Sequence, residues 1–179
     1  MFQPPDDVAK KGAITYCATI DNPPRAFADA SGNFQGFEID LGVEIGNRLG
    51  LEVKWEQMKF SGLIASLSGQ ICDAIVQELF IKPTRVEVID MIPFGYSAQS
   101  IVVNASNNES INGPADLSGL KVAVPNGTTI HNILIETNES LSSGGKTPID
   151  IVIFSIKQRS FGLYARKSTG AGYIEFLFN

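Results

Sequence analysis

A chain of 179 residues with 44% apolar and 18% charged side chains has the composition of a globular protein with a sizeable core, in one or two domains. Its net charge of −5 argues against sequence-independent binding to nucleic acid or to an anionic membrane. No apolar run approaches the ~20 residues that a membrane span requires.

The N-terminal stretch Met1-Phe-Gln-Pro-Pro-Asp-Asp-Val has no apolar h-region. It reads either as a cytosolic start or as a chain whose leader has been removed. Ala13 to Ile20 is rich in β-branched residues and ends at Asp21-Asn-Pro-Pro, which predicts a buried strand followed by a loop. Residues 30–33 form a turn, and Phe34 to Phe37 is short and extended. Leu41, Ile45 and Leu49 recur at helical spacing and Gly50 follows, so a helix with that apolar stripe is expected. Leu51 to Glu56 alternates apolar and polar as a half-buried strand does. Ser61 is placed to cap a helix carrying Leu63, Ile64 and Leu67, which Gly69 ends. Ile71 to Val76 reads as a third strand. This strand–helix alternation implies βαβ units and a parallel sheet.

Pro83 to Val88 predicts one short helix with proline in its first turn. Ile89 to Ile92 and Ser100 to Asn104 read as strands, with a polar loop from 104 to 113. A strand over Leu120 to Pro125 leads through Asn126-Gly-Thr-Thr into a helix bearing Ile130, Ile133 and Leu134. Residues 142–145 are a loop, and Ile149 to Phe154 is a last strand. Cys17 and Cys72 both fall in apolar runs, where a small buried thiol is the default reading and a single disulfide the less favoured one. With one histidine and two separated cysteines, neither a metal site nor a cofactor is expected.

Beyond residue 156 the character changes. Residues 157–179 carry Lys157, Arg159, Arg166 and Lys167 against Glu175 alone. Their aromatics fit no clean period. A basic amphipathic membrane helix is one reading; a tail outside the designed fold is the favoured one.

Asp21, Gly32, Gly36-Phe-Glu-Ile-Asp-Leu41, Leu49-Gly50, Phe60-Ser-Gly-Leu-Ile64, Leu67-Ser-Gly69, Asp73-Ala-Ile75, Arg85, Asp90, Pro93-Phe94, Asp116-Leu-Ser-Gly119 and Val122 to Thr128 occur in one order. In that order and spacing the chain resembles bacterial extracellular solute-binding proteins, of the polar amino-acid type that feeds ABC importers. The resemblance runs from about residue 10 to about residue 156. It implies a type II periplasmic-binding-protein-like α/β fold with two α/β lobes and ligand held in an interlobe cleft. Residues 1–97 then form most of the first lobe, 98–156 a partial second lobe, and 157–179 an atypical tail. The motif loss after 156 reads as a truncated or frame-shifted end, with an incomplete second lobe and correspondingly weak binding.

The resemblance also assigns roles. Arg85 matches the arginine that grips the ligand carboxylate, a task its planar fork suits; the alternative is a solvated arginine. Gly127 and Thr128 open a helix and present N–H donors and a hydroxyl to an anion, a role compatible with ordinary capping. Phe60 is an apolar wall for the ligand or a core residue. Asp21 accepts from a ligand ammonium or caps the loop after it. Phe27 is a second candidate wall, although Pro24 and Arg25 stand where an aromatic is often found. Glu78 and Phe80 are larger than the residues usual there; Glu78 either pairs with a cationic ligand group or faces water. Asp40 complements a helix dipole, and His131 is a helix-surface histidine.

The function implied is capture of a polar amino acid outside the cytoplasmic membrane and its presentation to an ABC permease, with no chemistry performed. The protein would be periplasmic, or extracellular and membrane-anchored, a monomer when complete, with no nucleic-acid partner. Two rivals are an enzyme on the same scaffold, similar to cyclohexadienyl dehydratases, and a sensory domain of a receptor. The enzyme needs a general acid or base, for which Glu78 and His131 are the candidates.

Overall fold

The sheet of the first half is built on one strand that is buried on both faces. In a computed structural model, which describes residues 2–103, 110–154 and 172–176, a short helix α1 (Asp6–Lys11) leads into β1 (Ala13–Ala18). There follow the small strands β2 (Asp21–Asn22), β3 (Ala26–Ala28) and β4 (Phe34–Gln35), the helix α2 (Phe37–Leu49) and β5 (Glu52–Gln57). A 3-10 turn over Phe60–Gly62 precedes α3 (Leu63–Ser68), β6 (Ala74–Ile75) and α4 (Pro83–Val86). Then come β7 (Ala98–Val102), a second 3-10 turn over Pro114–Leu117, β8 (Lys121–Pro125), α5 (Thr129–Ser143), β9 (Asp150–Phe154) and β10 (Gly172–Phe176). The chain divides into two units, Met1–Met91 and Ile92–Asn179.

In the first unit β1 lies between β5 and β6 and pairs with both in parallel. Its alternation sorts the core. Ile14 and Tyr16 join Val8, Val76 and the partly buried Leu41, Leu49, Val53 and Trp55 on one side, with the Tyr16 and Trp55 rings 5.1 Å apart. Cys17 joins Leu63 and Cys72 on the other. A strand covered on both faces is the expected centre of a parallel α/β sheet. Strands β2, β3 and β4 form a separate antiparallel sheet.

Helix α2 is where the sequence predicts it and ends at Gly50 in the left-handed conformation, but its buried face is rotated. Ile39, Gly42 and Gly46 are buried, whereas Ile45 is 37% exposed. The glycines let the helix backbone settle onto the sheet: a Cβ on Gly42 would lie 2.6 Å from the Trp55 ring, and one on Gly46 would collide with Val53. Ile39, Leu41 and Leu49 pack on the core, but the closest approach is made at the two glycines.

The start of α2 is docked with equal closeness. Phe37 and Glu38 donate their N–H groups to the carbonyls of Pro24 and Arg25 at 3.2 and 2.9 Å. Gly36 allows this with φ at 117°, where a Cβ would stand 2.6 Å from the Pro24 carbonyl oxygen and also meet that of Arg25. Gly36→Ala is therefore expected to destabilise the protein by about 2–3 kcal/mol through backbone strain and overpacking. The urea midpoint, at constant slope, measures it.

Four other expectations are corrected. Cys17 and Cys72 form a disulfide, with Cα atoms 5.6 Å apart; Cys72 stands just before β6, the neighbour of β1, which brings the two thiols face to face. Ser61 caps nothing: Gly62 is the cap residue of α3 and no side chain bonds there. The strand read over Ile71 to Val76 shrinks to β6, because the Asp73 carboxylate turns back to accept from Thr15 N–H at 3.0 Å and from Lys11 at 2.6 Å. Ile89 to Ile92 is not a strand; Val88 and Ile89 N–H groups bond to the Arg85 carbonyl and extend the turn after α4.

The second unit is a four-stranded sheet in the order β7-β10-β8-β9. β8 runs parallel to β9, and β10 runs antiparallel to β7. α5 covers it with Ile130, Leu134 and Leu141, packed against Leu117, Val122, Val124 and Ile149. Asn138 of α5 brackets the backbone of Ile149, accepting at 2.6 Å and donating at 3.0 Å. The tail expected to lie outside the fold contributes β10, a central strand of this sheet; the rest of 157–179 lies outside the described residues.

Candidate functional site

Three of the site candidates in the first unit come together around one guanidinium. Arg85 sits in α4, which Pro83 opens at a position where a missing N–H costs nothing. Its side chain is buried. Nη1 donates to the Phe80 carbonyl at 2.8 Å, and the guanidinium carbon lies 5.7 Å from the centre of the Phe60 ring, within cation–π range. Phe60 thus faces Arg85 and also packs on the Cys17–Leu63–Cys72 cluster. The solvated-arginine reading of Arg85 is excluded by its burial. An oriented guanidinium on an aromatic ring is suited to a planar bidentate acceptor such as a carboxylate.

Glu78 corrects both of its readings. It neither faces water nor stands open to a cationic ligand: its Oε2 accepts from Arg25 Nε at 2.8 Å, with both side chains buried. Arg25 Nη1 donates in turn to Glu38 Oε1 at 3.1 Å, and Glu38 is fully buried. One buried cation therefore bridges two buried acids. Glu38 Oε2 and Glu78 Oε1 have no hydrogen-bond partner. Burial raises the Glu38 carboxyl to about 7, against the pull of Arg25.

The sign of this shift fixes a pH dependence. Between the ordinary glutamate value and about 7 the folded protein keeps a proton on Glu38 that the unfolded chain has lost. The contribution of Glu38 to stability therefore falls as pH rises through that window. Glu38→Gln is expected to flatten the fall, as read from urea midpoints at about pH 5 and about pH 8.

Asp21 and Phe27 face each other across β2 and β3. Asp21 is half-buried, one of its oxygens, Oδ1, has no partner, and burial raises its carboxyl. Beside it in sequence, Thr19 donates both its N–H (2.8 Å) and its hydroxyl (3.0 Å) to the Gln77 side-chain oxygen. Arg25, Glu38, Thr19 and Gln77 were not singled out by sequence as a group. The available signal was an arginine lodged between Pro24 and the apolar residues of β3.

In the second unit Thr128 caps α5. Its hydroxyl accepts from His131 N–H at 3.2 Å and donates to the Pro125 carbonyl at 3.0 Å. The hydroxyl proton is thus committed, and an anion at this helix start would meet backbone N–H groups. Gly127 N–H points to His131 Nδ1 at 3.4 Å, a long contact. Among the described residues no cluster of metal-binding side chains occurs, and no helix is long and apolar enough to cross a membrane.

Residues 14–169 match the family described as bacterial extracellular solute-binding proteins, family 3, past residue 156 where the motifs end. The chain is 26% identical to the probable histidine-binding protein of Campylobacter jejuni over 147 residues, covering 78% of this chain and 54% of that protein. It is 32% identical to the lysine/arginine/ornithine-binding periplasmic protein of Escherichia coli over 132 residues, covering 74% and 48%. Among solved structures, the P235GK mutant of ArgBP from T. maritima superposes with a TM-score of 0.82 at 30% identity, over 95% of this chain and 71% of that one. The chain spans about half the length of the curated relatives it matches.

Proposed function

The chain belongs to the bacterial extracellular solute-binding proteins, family 3, and on that premise we propose that it captures a polar amino acid for delivery to an ABC permease. Arg85 takes the ligand carboxylate. The observation that carries this reading is the buried Arg85 guanidinium, fixed by the Phe80 carbonyl and lying over Phe60. Phe60 offers the apolar wall, and Asp21, with its unpartnered oxygen, accepts from the ligand ammonium. Within the second unit, the backbone donors at Gly127 and Thr128 are the candidate anion contacts. Phe27 stays a wall candidate, and Phe80 acts through its carbonyl.

Binding rather than catalysis is the better reading, because the acid among the two acid–base candidates is committed to a structural ion pair. Glu78 is held in the buried ion pair with Arg25, whereas His131 has only the long 3.4 Å contact with Gly127 N–H. Export is supported by an observation independent of the relatives: the Cys17–Cys72 bridge is of a kind that persists in oxidising compartments such as the periplasm.

Isothermal calorimetry of this chain against the twenty amino acids tests the proposal. Weak binding of one or a few of them, at or above the micromolar range, is the expected result. Heats indistinguishable from dilution for all twenty, or turnover of prephenate or arogenate, would overturn it.

A further inference from the structure

After β6 the chain leaves the sheet, and Gln77 to Phe80 belong to no helix or strand. Three side chains from elsewhere hold this segment. Thr19, just past β1, binds Gln77 with its N–H and hydroxyl. Arg25, in the turn before β3, binds Glu78. Arg85, in α4, binds the Phe80 carbonyl. Of the three, Arg25 is the costly one. It is a buried cation facing two buried acids, a set that apolar residues can often replace together without loss of stability, whereas removing one member leaves a charge buried and unpaired. Its geometry has another consequence. The Arg25 carbonyl accepts from Glu38 N–H at 2.9 Å, and its guanidinium reaches Glu38 and Glu78 through separate nitrogens. The fork therefore ties three separate pieces together: the turn before β3, the start of α2, and the irregular segment that carries Phe80.

We propose that Arg25 is a positioning residue, which holds Glu78 and through it fixes the 77–80 segment on which Phe80 orients Arg85. Lysine could not replace it, since a single ammonium lacks the spread of Nε and Nη1. The consequence for ligand rests on the reading of Arg85 as the carboxylate grip; the ordering of 77–80 does not.

The test is 15N relaxation on the ligand-free full chain, with calorimetry against the tightest-binding amino acid in parallel. Glu78→Gln is the main variant, since it keeps volume and a hydrogen-bonding group while removing the charge; Arg25→Gln is the second. Expected is a fall in order parameter at Leu79 to Ile81 from the rigid range of about 0.85 towards about 0.6, with β1 unchanged. Affinity should fall about tenfold, a loss of ~1.4 kcal/mol. Order parameters at 79–81 that stay rigid in folded Glu78→Gln, or that fall only in step with β1, would overturn the proposal. Loosening at 79–81 in a protein whose wild type binds no amino acid would uphold the positioning role and remove the ligand reading instead. If Arg25→Gln does not fold, Glu78→Gln decides alone.

Discussion

Arg85→Ala is expected to lower amino-acid affinity by at least ~100-fold, and to do so for every amino acid the protein binds. A hydrogen bond to a charged group contributes about 1.5–3 kcal/mol, and a guanidinium gripping a carboxylate makes two. Losing both amounts to about 3–6 kcal/mol, a factor of ~10²–10⁴. The loss is independent of the ligand side chain because the contact is with the group all amino acids share. Arg85→Lys separates charge from geometry. It keeps a cation but loses the planar fork and much of the attraction to Phe60, so an intermediate loss of about tenfold is expected. Arg85 also bonds to Phe80, so some stability goes with it. Thermal unfolding of each variant, run beside calorimetry, distinguishes a misfolded protein from one that folds and does not bind. A folded Arg85→Ala protein with wild-type affinity would remove Arg85 from the site.

How far such a site can be read in advance depends on where its partners lie in the chain. The order of β1, α2, β5, α3 and β6 was legible because apolar period and glycine or proline punctuation are local signals. The face of α2 was legible only in part. Of its stripe, Leu41 and Leu49 pack on the core, Ile45 is exposed, and Gly42 and Gly46 make the close contact with Trp55 and Val53. Arg85 and Phe60 were legible through motif order, and the structure places them together. Glu78 was misread because its partner, Arg25, lies far away in sequence and nothing near residue 78 announces a buried cation. The Cys17–Cys72 bridge was the less favoured reading, and the strand β10 was missed, for the same reason. Each depends on which strands become neighbours, and that is a property of topology, not of local pattern.

The disulfide is the other feature whose removal should show plainly. A bridge closing 55 residues restricts the unfolded chain, and the loop-closure relation puts the stabilisation at about 4 kcal/mol. That is a large share of the 5–15 kcal/mol typical of a whole domain. Cys17→Ala/Cys72→Ala is expected to lose roughly this amount and to unfold on the order of 10 °C lower. Either single alanine variant should lose nearly as much, since the cross-link is gone in all three. Both sulfurs are buried, so reductant alone should act slowly on the native protein and quickly in urea near the midpoint, where the bridge is exposed. A double variant whose urea midpoint matches wild type would show that the bridge adds nothing to stability. The consequence reaches the site through Phe60, which packs on the Cys17–Leu63–Cys72 cluster and lies beneath Arg85. Losing the bridge loosens α3 against β1 and with it the ring that orients the guanidinium. Affinity in the double variant should therefore fall modestly, a few-fold rather than the loss expected for Arg85→Ala, even at temperatures where the protein is fully folded.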